Sequence, residues 1–158
     1  MHKIQKMVDI KAPAQRVYDF LVQPQNLPGI WPSMVEVSNV VAGTGGASDF
    51  DWVYKMGGMQ HRGHSKIEEA QPAKLLRSRS DGAIQSTFRW TFRGLDGAST
   101  KLTCEIEYTI PMPVLGKLVE SVVAKLNERE IETMLANLKD MMEHSTVGAS
   151  VTATAHAR

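Results

Sequence analysis

The order of the sequence patterns constrains the fold of this chain more than any single residue does. Short segments that alternate between apolar and polar residues are followed by one long segment, residues 114–144, with apolar residues at helical spacing. Alternation with a period of two predicts strands that bury one face and expose the other. A small curved antiparallel sheet and one long helix cannot meet along their whole lengths, so we expect an apolar hollow between them.

Seven strands are predicted, of which the sixth and seventh are the clearest; the third also alternates. Their apolar residues share one phase, which we take as the inward face of the sheet. The members of this phase are Phe50, Trp52, Tyr54 and Met56 in the third strand, Phe88, Trp90 and Phe92 in the sixth, and Leu102, Cys104, Ile106 and Tyr108 in the seventh. Glycine-containing turns at residues 43–46, 57–58 and 95–98 separate the strands.

Two helices are predicted with a proline-rich stretch after the first. Residues 12–14, Ala-Pro-Ala, open a short helix after the first strand, and the proline-rich stretch with Trp31 that follows forms either a short helix or turns. The long C-terminal helix carries one apolar stripe that includes Leu118, Val122 and Leu126, and a second stripe after the polar run 127–130. The stripes differ by roughly 130° at 100° per residue, which predicts a kink at the polar run or a second contacting surface.

Composition favours a single globular domain, residues 1–144, followed by a flexible tail, residues 145–158. The 158 residues include 18 basic and 17 acidic ones, which argues against a nucleic-acid partner. There is no signal-peptide pattern and no apolar run of membrane-spanning length, so we expect a cytoplasmic protein without an integral membrane segment. Cys104 is the only cysteine, which excludes an internal disulfide. We expect no cofactor, and either a monomer or a homodimer.

Four segments resemble one known family. They are IKAPAQRVYDFLVQPQNLPGIWP at 10–32, KIEEAQPAKLL at 66–76, TKLTCEIEYTIP at 100–111 and NEREIETMLANLKDMME at 127–143. These segments are similar to the polyketide cyclase/dehydrase-like branch of the START and pollen-allergen superfamily, also called SRPBCC. The resemblance implies an α+β helix-grip fold, in which a curved antiparallel sheet of about seven strands wraps around a long C-terminal helix. That superfamily includes lipid carriers, hormone receptors and ring-closing enzymes, so it implies a fold more than a function.

The inward aromatic and sulfur-containing residues are the candidate ligand contacts. Buried tryptophan and tyrosine need partners for their N–H and O–H groups, and methionine adapts to irregular shapes. With the helix stripe, the predicted binding residues are Trp31, Met34, Trp52, Tyr54, Met56, His61, Phe88, Trp90, Cys104, Tyr108, Leu118, Val122 and Leu126.

Catalytic signatures are weak in this sequence. His61 and Tyr54 are the first candidates for proton transfer, because both share the inward phase of their strands. His61 and His64 are three residues apart, so they point to opposite faces of one strand and we expect no metal site. Either Leu75 or Leu76 points inward, and the sequence leaves open whether Arg77 or Arg79 enters the hollow.

Three functions remain open at this point. The first is binding of an apolar small molecule, such as a lipid, an isoprenoid or a polycyclic aromatic or polyketide-like compound, between sheet and helix. The second is a polyketide cyclase, aromatase or dehydratase that uses one or two acid–base groups of the hollow. The third is a protein-interaction module with a filled core.

Overall fold

A computed structural model describes residues 1–43, 46–109 and 117–156, without the side chains of residues 46–47, 117–121 and 145–156. The middle of the predicted 43–46 turn and residues 110–116 lie outside the described residues, as does the side chain of Leu118. The strands are β1 (His2–Ile10), β2 (Met34–Gly43), β3 (Gly46–Met56), β4 (Met59–Gln71), β5 (Leu75–Gly82), β6 (Gln85–Gly94) and β7 (Thr100–Thr109). The helices are α1 (Ala14–Leu21), a 3₁₀ helix (Pro24–Gly29) and α2 (Lys117–His156).

The seven strands form one antiparallel sheet in the order β1-β7-β6-β5-β4-β3-β2. Consecutive strands from β2 to β7 are neighbours, and β1 pairs with β7 from His2 opposite Tyr108 to Ile10 opposite Thr100. The hairpin between β3 and β4 turns at Gly57 and Gly58, both with positive φ. Two-residue hairpin turns of this kind favour glycine, because they require that backbone conformation. The predicted α+β fold, a curved antiparallel sheet with a long C-terminal helix, is confirmed.

One face of the sheet and one face of α2 form the core. The inward strand residues predicted from alternation are buried, except Phe88, which is partly buried; Leu102 and Cys104 are fully buried. Among the side chains described in residues 122–144 of α2, the face toward the sheet is one stripe that runs from Val123 through Asn127 to Met142 and includes Ile131, Met134, Leu135 and Leu138.

The prediction that Val122 and Leu126 belong to a buried stripe of α2 is therefore wrong. Val122 and Leu126 are 58% and 54% exposed, whereas Val123 is buried. The helix runs as one element through the polar run 127–130. Because a continuous helix presents one face to the sheet, the larger apolar set after residue 130 fixes that face. Asn127 belongs to it even though it is polar.

Side chains of α2 bind to β1 and to the segment after the 3₁₀ helix. Asn137 donates to the carbonyl oxygen of Ile30 (2.9 Å), and the backbone N–H of Ser33 donates to Glu130 (2.6 Å). At the other edge, Lys139 Nζ donates to the carbonyl oxygen of Asp9 (2.6 Å). These contacts hold α2 against the sheet from residue 130 to residue 139.

Lys6 is a charged residue on the inward face of β1, which it shares with Ile4, Val8 and Ile10. Two carboxylates of α2 are its partners. Its Nζ lies 2.7 Å from Glu128 Oε1 and 2.9 Å from Glu132 Oε1, which are one helical turn apart on α2. The hydrogen bonds that Lys6 donates to these carboxylates, above all the one to Glu128, raise the pKa of Lys6. The lysine therefore connects the edge of the sheet to α2.

Replacing Lys6 with methionine is expected to raise the pKa of Glu128. The hydrogen bond from Lys6 holds that pKa below its ordinary value of 4.5, so this carboxylate stabilises the fold above the unfolded-state pKa and loses its contribution as the pH falls through the lower folded-state pKa. An NMR titration of the glutamate carboxyl carbons measures the shift. Glu143, whose pKa is lowered by Lys139 and by the backbone of Lys11, is the internal control and should not move. An unchanged Glu128 titration in the variant would contradict this assignment.

The tail predicted for residues 145–158 overlaps the end of α2, which extends to His156. Its flexibility and the domain boundary at residue 144 stay predictions. Among the described residues, no helix is both long enough and apolar enough to span a bilayer.

Candidate functional site

An apolar hollow lies between the inward face of the sheet, α1, the 3₁₀ helix and α2. The space that the centres of water molecules can occupy in it is about 100 Å³. This corresponds to room for several water-sized groups. The residues that line the hollow are Ile4, Leu21, Pro24, Leu27, Trp31, Met34, Phe50, Trp52, Tyr54, Met56, Ser65, Ile67, Leu76, Ser78, Ser80, Ile84, Ser86, Phe88, Trp90, Ile106, Tyr108, Asn127 and Ile131.

Small hydroxyl residues at inward positions help to make this space. Ser65 of β4 pairs with Ser80 of β5, Ser80 pairs with Ser86 of β6, and Ser86 pairs with Tyr108 of β7. We call this line of side chains across four neighbouring strands the hydroxyl row. Serine fills much less volume than the valine or isoleucine usual on a buried strand face. The three serines therefore leave room beneath α2.

Trp52 lies over a pair of glycines. It is opposite Gly63, which is opposite Gly82. A Cβ at Gly63 would come within 2.0 Å of Trp52 Cζ2, and one at Gly82 would come within 2.7 Å of the Cα of Gly63. Only glycine leaves room for the indole at this point, so these glycines set the position of one wall of the hollow.

Trp31, Tyr54 and Phe88 form an aromatic cluster. Trp31 packs edge-on against Tyr54 at 5.3 Å between ring centroids and lies 5.4 Å from Phe88. The hydroxyl of Tyr54 donates to Asn127 Oδ1 (3.4 Å), which explains the polar residue in the α2 stripe. Burial raises the pKa of Tyr54 far above its ordinary value. At neutral pH the phenol is therefore a hydrogen-bond donor and not a base.

The sequence matches one family model over residues 1–143, nearly the whole chain. That model describes polyketide cyclases/dehydrases and lipid-transport proteins. The chain belongs to the polyketide cyclase/dehydrase and lipid transport family. No curated protein is detectably similar in sequence.

Solved structures share the fold of this family member. A protein from Thermus thermophilus has a TM-score of 0.75 at 23% identity, with 89% of this chain and 97% of the other covered. A START superfamily protein from Mycobacterium smegmatis has a TM-score of 0.76 at 16% identity, with 90% and 97% covered. The Zhui aromatase/cyclase from Streptomyces sp. R1128 has a TM-score of 0.72 at 15% identity, with 91% and 97% covered. At these identities the likeness establishes the fold, and the predicted helix-grip family is confirmed.

The structure of this cyclase/lipid-transport family member brings most of the predicted binding residues together. Those that line the hollow are Trp31, Met34, Trp52, Tyr54, Met56, Phe88, Trp90 and Tyr108. Their contact with a ligand stays a prediction. Val122 and Leu126 lie on the exposed side of α2 instead, because the stripe through Asn127 faces the sheet.

Cys104 and His61 do not line the hollow. Cys104 is fully buried, and burial raises the pKa of its thiol, so it is a small apolar core residue. His61 Nε2 lies 3.1 Å from the carbonyl oxygen of Met56, at the end of the β3–β4 hairpin. Tyr54 lines the hollow, whereas His61, its cross-strand partner in β4, does not, so a role of either residue in proton transfer stays a prediction.

The outer face of the sheet carries the charged groups. Leu76 points inward, so Arg77 and Arg79 point outward, where each forms an ion pair with Glu68, at 3.9 and 3.3 Å respectively. His64 Nδ1 lies 2.6 Å from Asp51. Within the described part of the chain, no group of three or more His, Cys, Asp or Glu side chains is placed to hold a metal ion.

The hydroxyl row and Asn127 belong to the site but were not predicted from the sequence. The signal was present for the serines: Ser80 shares a phase with Leu76, and Ser86 shares one with Phe88 and Trp90. Serine in the apolar phase of a strand indicates either exposure or a cavity. Asn127 carried no such signal, because it begins the polar run 127–130.

Proposed function

We propose that this protein binds an apolar small molecule in the hollow, of the lipid, isoprenoid or polycyclic aromatic or polyketide-like class. The observation that carries the proposal is a hollow lined chiefly by aromatic and aliphatic side chains, in a chain of a family that comprises cyclases and lipid-transport proteins. Pockets of this kind, apolar with a few placed polar groups, are the usual form of small-molecule sites.

Burial of apolar surface supplies the driving force. Each Å² removed from water contributes roughly 25 cal/mol, and the cost of ordering ligand and side chains reduces the total. Trp31, Tyr54 and Phe88 all line the hollow, and Trp31 contacts the other two rings edge-on and at a tilt. Flat aromatic guests stack on such rings.

A cyclase or dehydratase role has less support from the residues. Ring closure and dehydration need a group that accepts a proton near the substrate. The described side chains around the hollow include no histidine, carboxylate, lysine or arginine, and Tyr54 remains protonated. The hollow could still fold a reactive chain by shape alone, so incubation with a reactive poly-β-ketone tests the role. An unchanged product distribution with and without protein would contradict it.

A filled protein-interaction module has the least support. That alternative required the inward aromatics to pack without space against α2. The hollow lies where that packing would be, and Val122 and Leu126 of α2 point away from the sheet.

A matched pair of leucine substitutions tests the binding proposal. Ser86 lines the hollow, whereas its neighbour Thr87 points to the other face of β6. Replacing Ser86 with leucine should fill part of the space and weaken binding of the neutral fluorescent probe N-phenyl-1-naphthylamine by about tenfold, which is 1.4 kcal/mol. Thr87→Leu should leave binding unchanged. Fluorescence titration measures both affinities.

Two results would contradict binding in the hollow. One is the absence of any probe binding to the wild-type protein. The other is an equal loss of affinity in the Ser86→Leu and Thr87→Leu variants, both shown to be folded by circular dichroism. Native mass spectrometry of the purified protein adds a direct search for a co-purified apolar guest.

A further inference from the structure

We infer that the guest carries an uncharged oxygen, a hydroxyl or a carbonyl, which binds at the hydroxyl row beside Trp52. This inference rests on the proposed function and specifies its ligand: a neutral oxygenated molecule, and neither a pure hydrocarbon nor a carboxylate anion.

The hydroxyl row has hydrogen-bonding capacity left for a guest. Ser65 and Ser80 are both more than nine-tenths buried, and their hydroxyls hydrogen-bond to each other. Two hydroxyls hold two protons, and the bond between them uses one. The second proton is free to point into the hollow and to bind an acceptor oxygen there.

Trp52 adds a buried donor close to these serines. It is two residues along β3 from Phe50, the residue that pairs with Ser65. Its side chain is 5% exposed, and its Nε1–H has no acceptor among the described residues. A buried donor without a partner is destabilising, because it has lost its hydrogen bonds to water and gained none in the protein. An acceptor oxygen on the guest would remove that cost.

The surroundings of the hollow disfavour a charged guest. None of the described side chains that line it is cationic, so an enclosed carboxylate would have no counter-ion. Transfer of an unpaired carboxylate from water to such a site is very costly, and the group neutralises instead. Neutral hydroxyl and carbonyl groups meet donors there without that penalty.

Three ligands on one ring system test the inference: 2-ethylnaphthalene, 2-acetonaphthone and 2-naphthoate. Calorimetric titration at pH 8 should give an affinity for the ketone at least ~100-fold above that for the carboxylate. The affinity for the carboxylate should increase as the pH is lowered toward its own pKa. The ratio of the affinities for the ketone and the hydrocarbon is then compared between the wild-type protein and each variant. The difference in hydrophobicity between the two ligands is the same in both ratios and cancels.

The double variant Ser65→Ala/Ser80→Ala and the variant Trp52→Phe should each lower the ketone-to-hydrocarbon affinity ratio by roughly 3–10-fold, the effect of one hydrogen bond. Thr87→Val removes a hydroxyl from the outer face and should leave the ratio unchanged.

An unchanged ratio in both inner-face variants, or carboxylate binding as tight as ketone binding at pH 8, would overturn the inference while binding in the hollow stands. Failure of all three ligands to bind would contradict the proposed function as well.

Discussion

Replacing Leu138 with alanine is expected to lower the free energy of unfolding by about 2–5 kcal/mol, the usual cost of such a change in a packed core. Leu138 is fully buried in the middle of the α2 stripe, between Leu135 and Met142. The loss combines the transfer of the removed methyl groups with a cavity that the rigid sheet cannot close. Urea denaturation followed by circular dichroism measures it.

Leu126→Ala on the same helix is the matched control. Leu126 is 54% exposed, so its replacement should change the free energy of unfolding by no more than about 0.5 kcal/mol. The pair also tests the rotational orientation of α2. If Leu126→Ala destabilised the protein as much as Leu138→Ala, Leu126 would face the sheet. The first apolar stripe predicted from the sequence would then be buried.

Replacing Gly63 with alanine is expected to destabilise the protein by about 1–3 kcal/mol, although alanine usually stabilises a chain relative to glycine. The added Cβ would overlap Trp52 Cζ2 at 2.0 Å, and the buried indole must move. Because Trp52 lines the hollow, the same change should also weaken binding of N-phenyl-1-naphthylamine. Thermal and urea denaturation with the binding titration measure both effects.

Gly94→Ala provides the control of opposite sign. A Cβ at Gly94 in β6 meets nothing within 4 Å, so this variant should be neutral or more stable by about 0.4–1 kcal/mol. A smaller ring in place of the indole, Trp52→Phe, should recover part of the loss in Gly63→Ala, and a double-mutant cycle gives the coupling. If the changes in the free energy of unfolding simply add, contact with the indole is not the reason that residue 63 must be glycine.

Alternation alone predicted the sheet because each strand has one dry face and one wet face. Trp52, Tyr54 and Met56 are buried as their phase requires, and the paired strands β6 and β7 behave in the same way. The rotation of α2 was not predictable by the same reasoning. Val122 and Leu126 form an apolar stripe as regular as that of Ile131 and its neighbours, and only the three-dimensional contacts decide between the two stripes.

The candidate site was predictable on its aromatic side and not on its polar side. Trp31 and Phe88 are large, so burial against a concave sheet follows from their size. The hydroxyl row depends on register: Ser65, Ser80 and Ser86 are distant in sequence and meet only because β4, β5 and β6 pair as they do. His61 shares the phase of Ser65, yet it lies two strand repeats away, near the hairpin at the end of the sheet.

Lys6 has a consequence for how α2 is oriented about its own axis. Its two partners, Glu128 and Glu132, lie on one side of the helix, next to the buried stripe. A rotation that turned Leu126 toward the sheet would carry both carboxylates away from the ammonium group and would place them elsewhere on the protein surface. Ion pairs this exposed add little to stability. Because the alternative helix orientation would lose these pairs, they add a small preference in the same direction as the buried stripe.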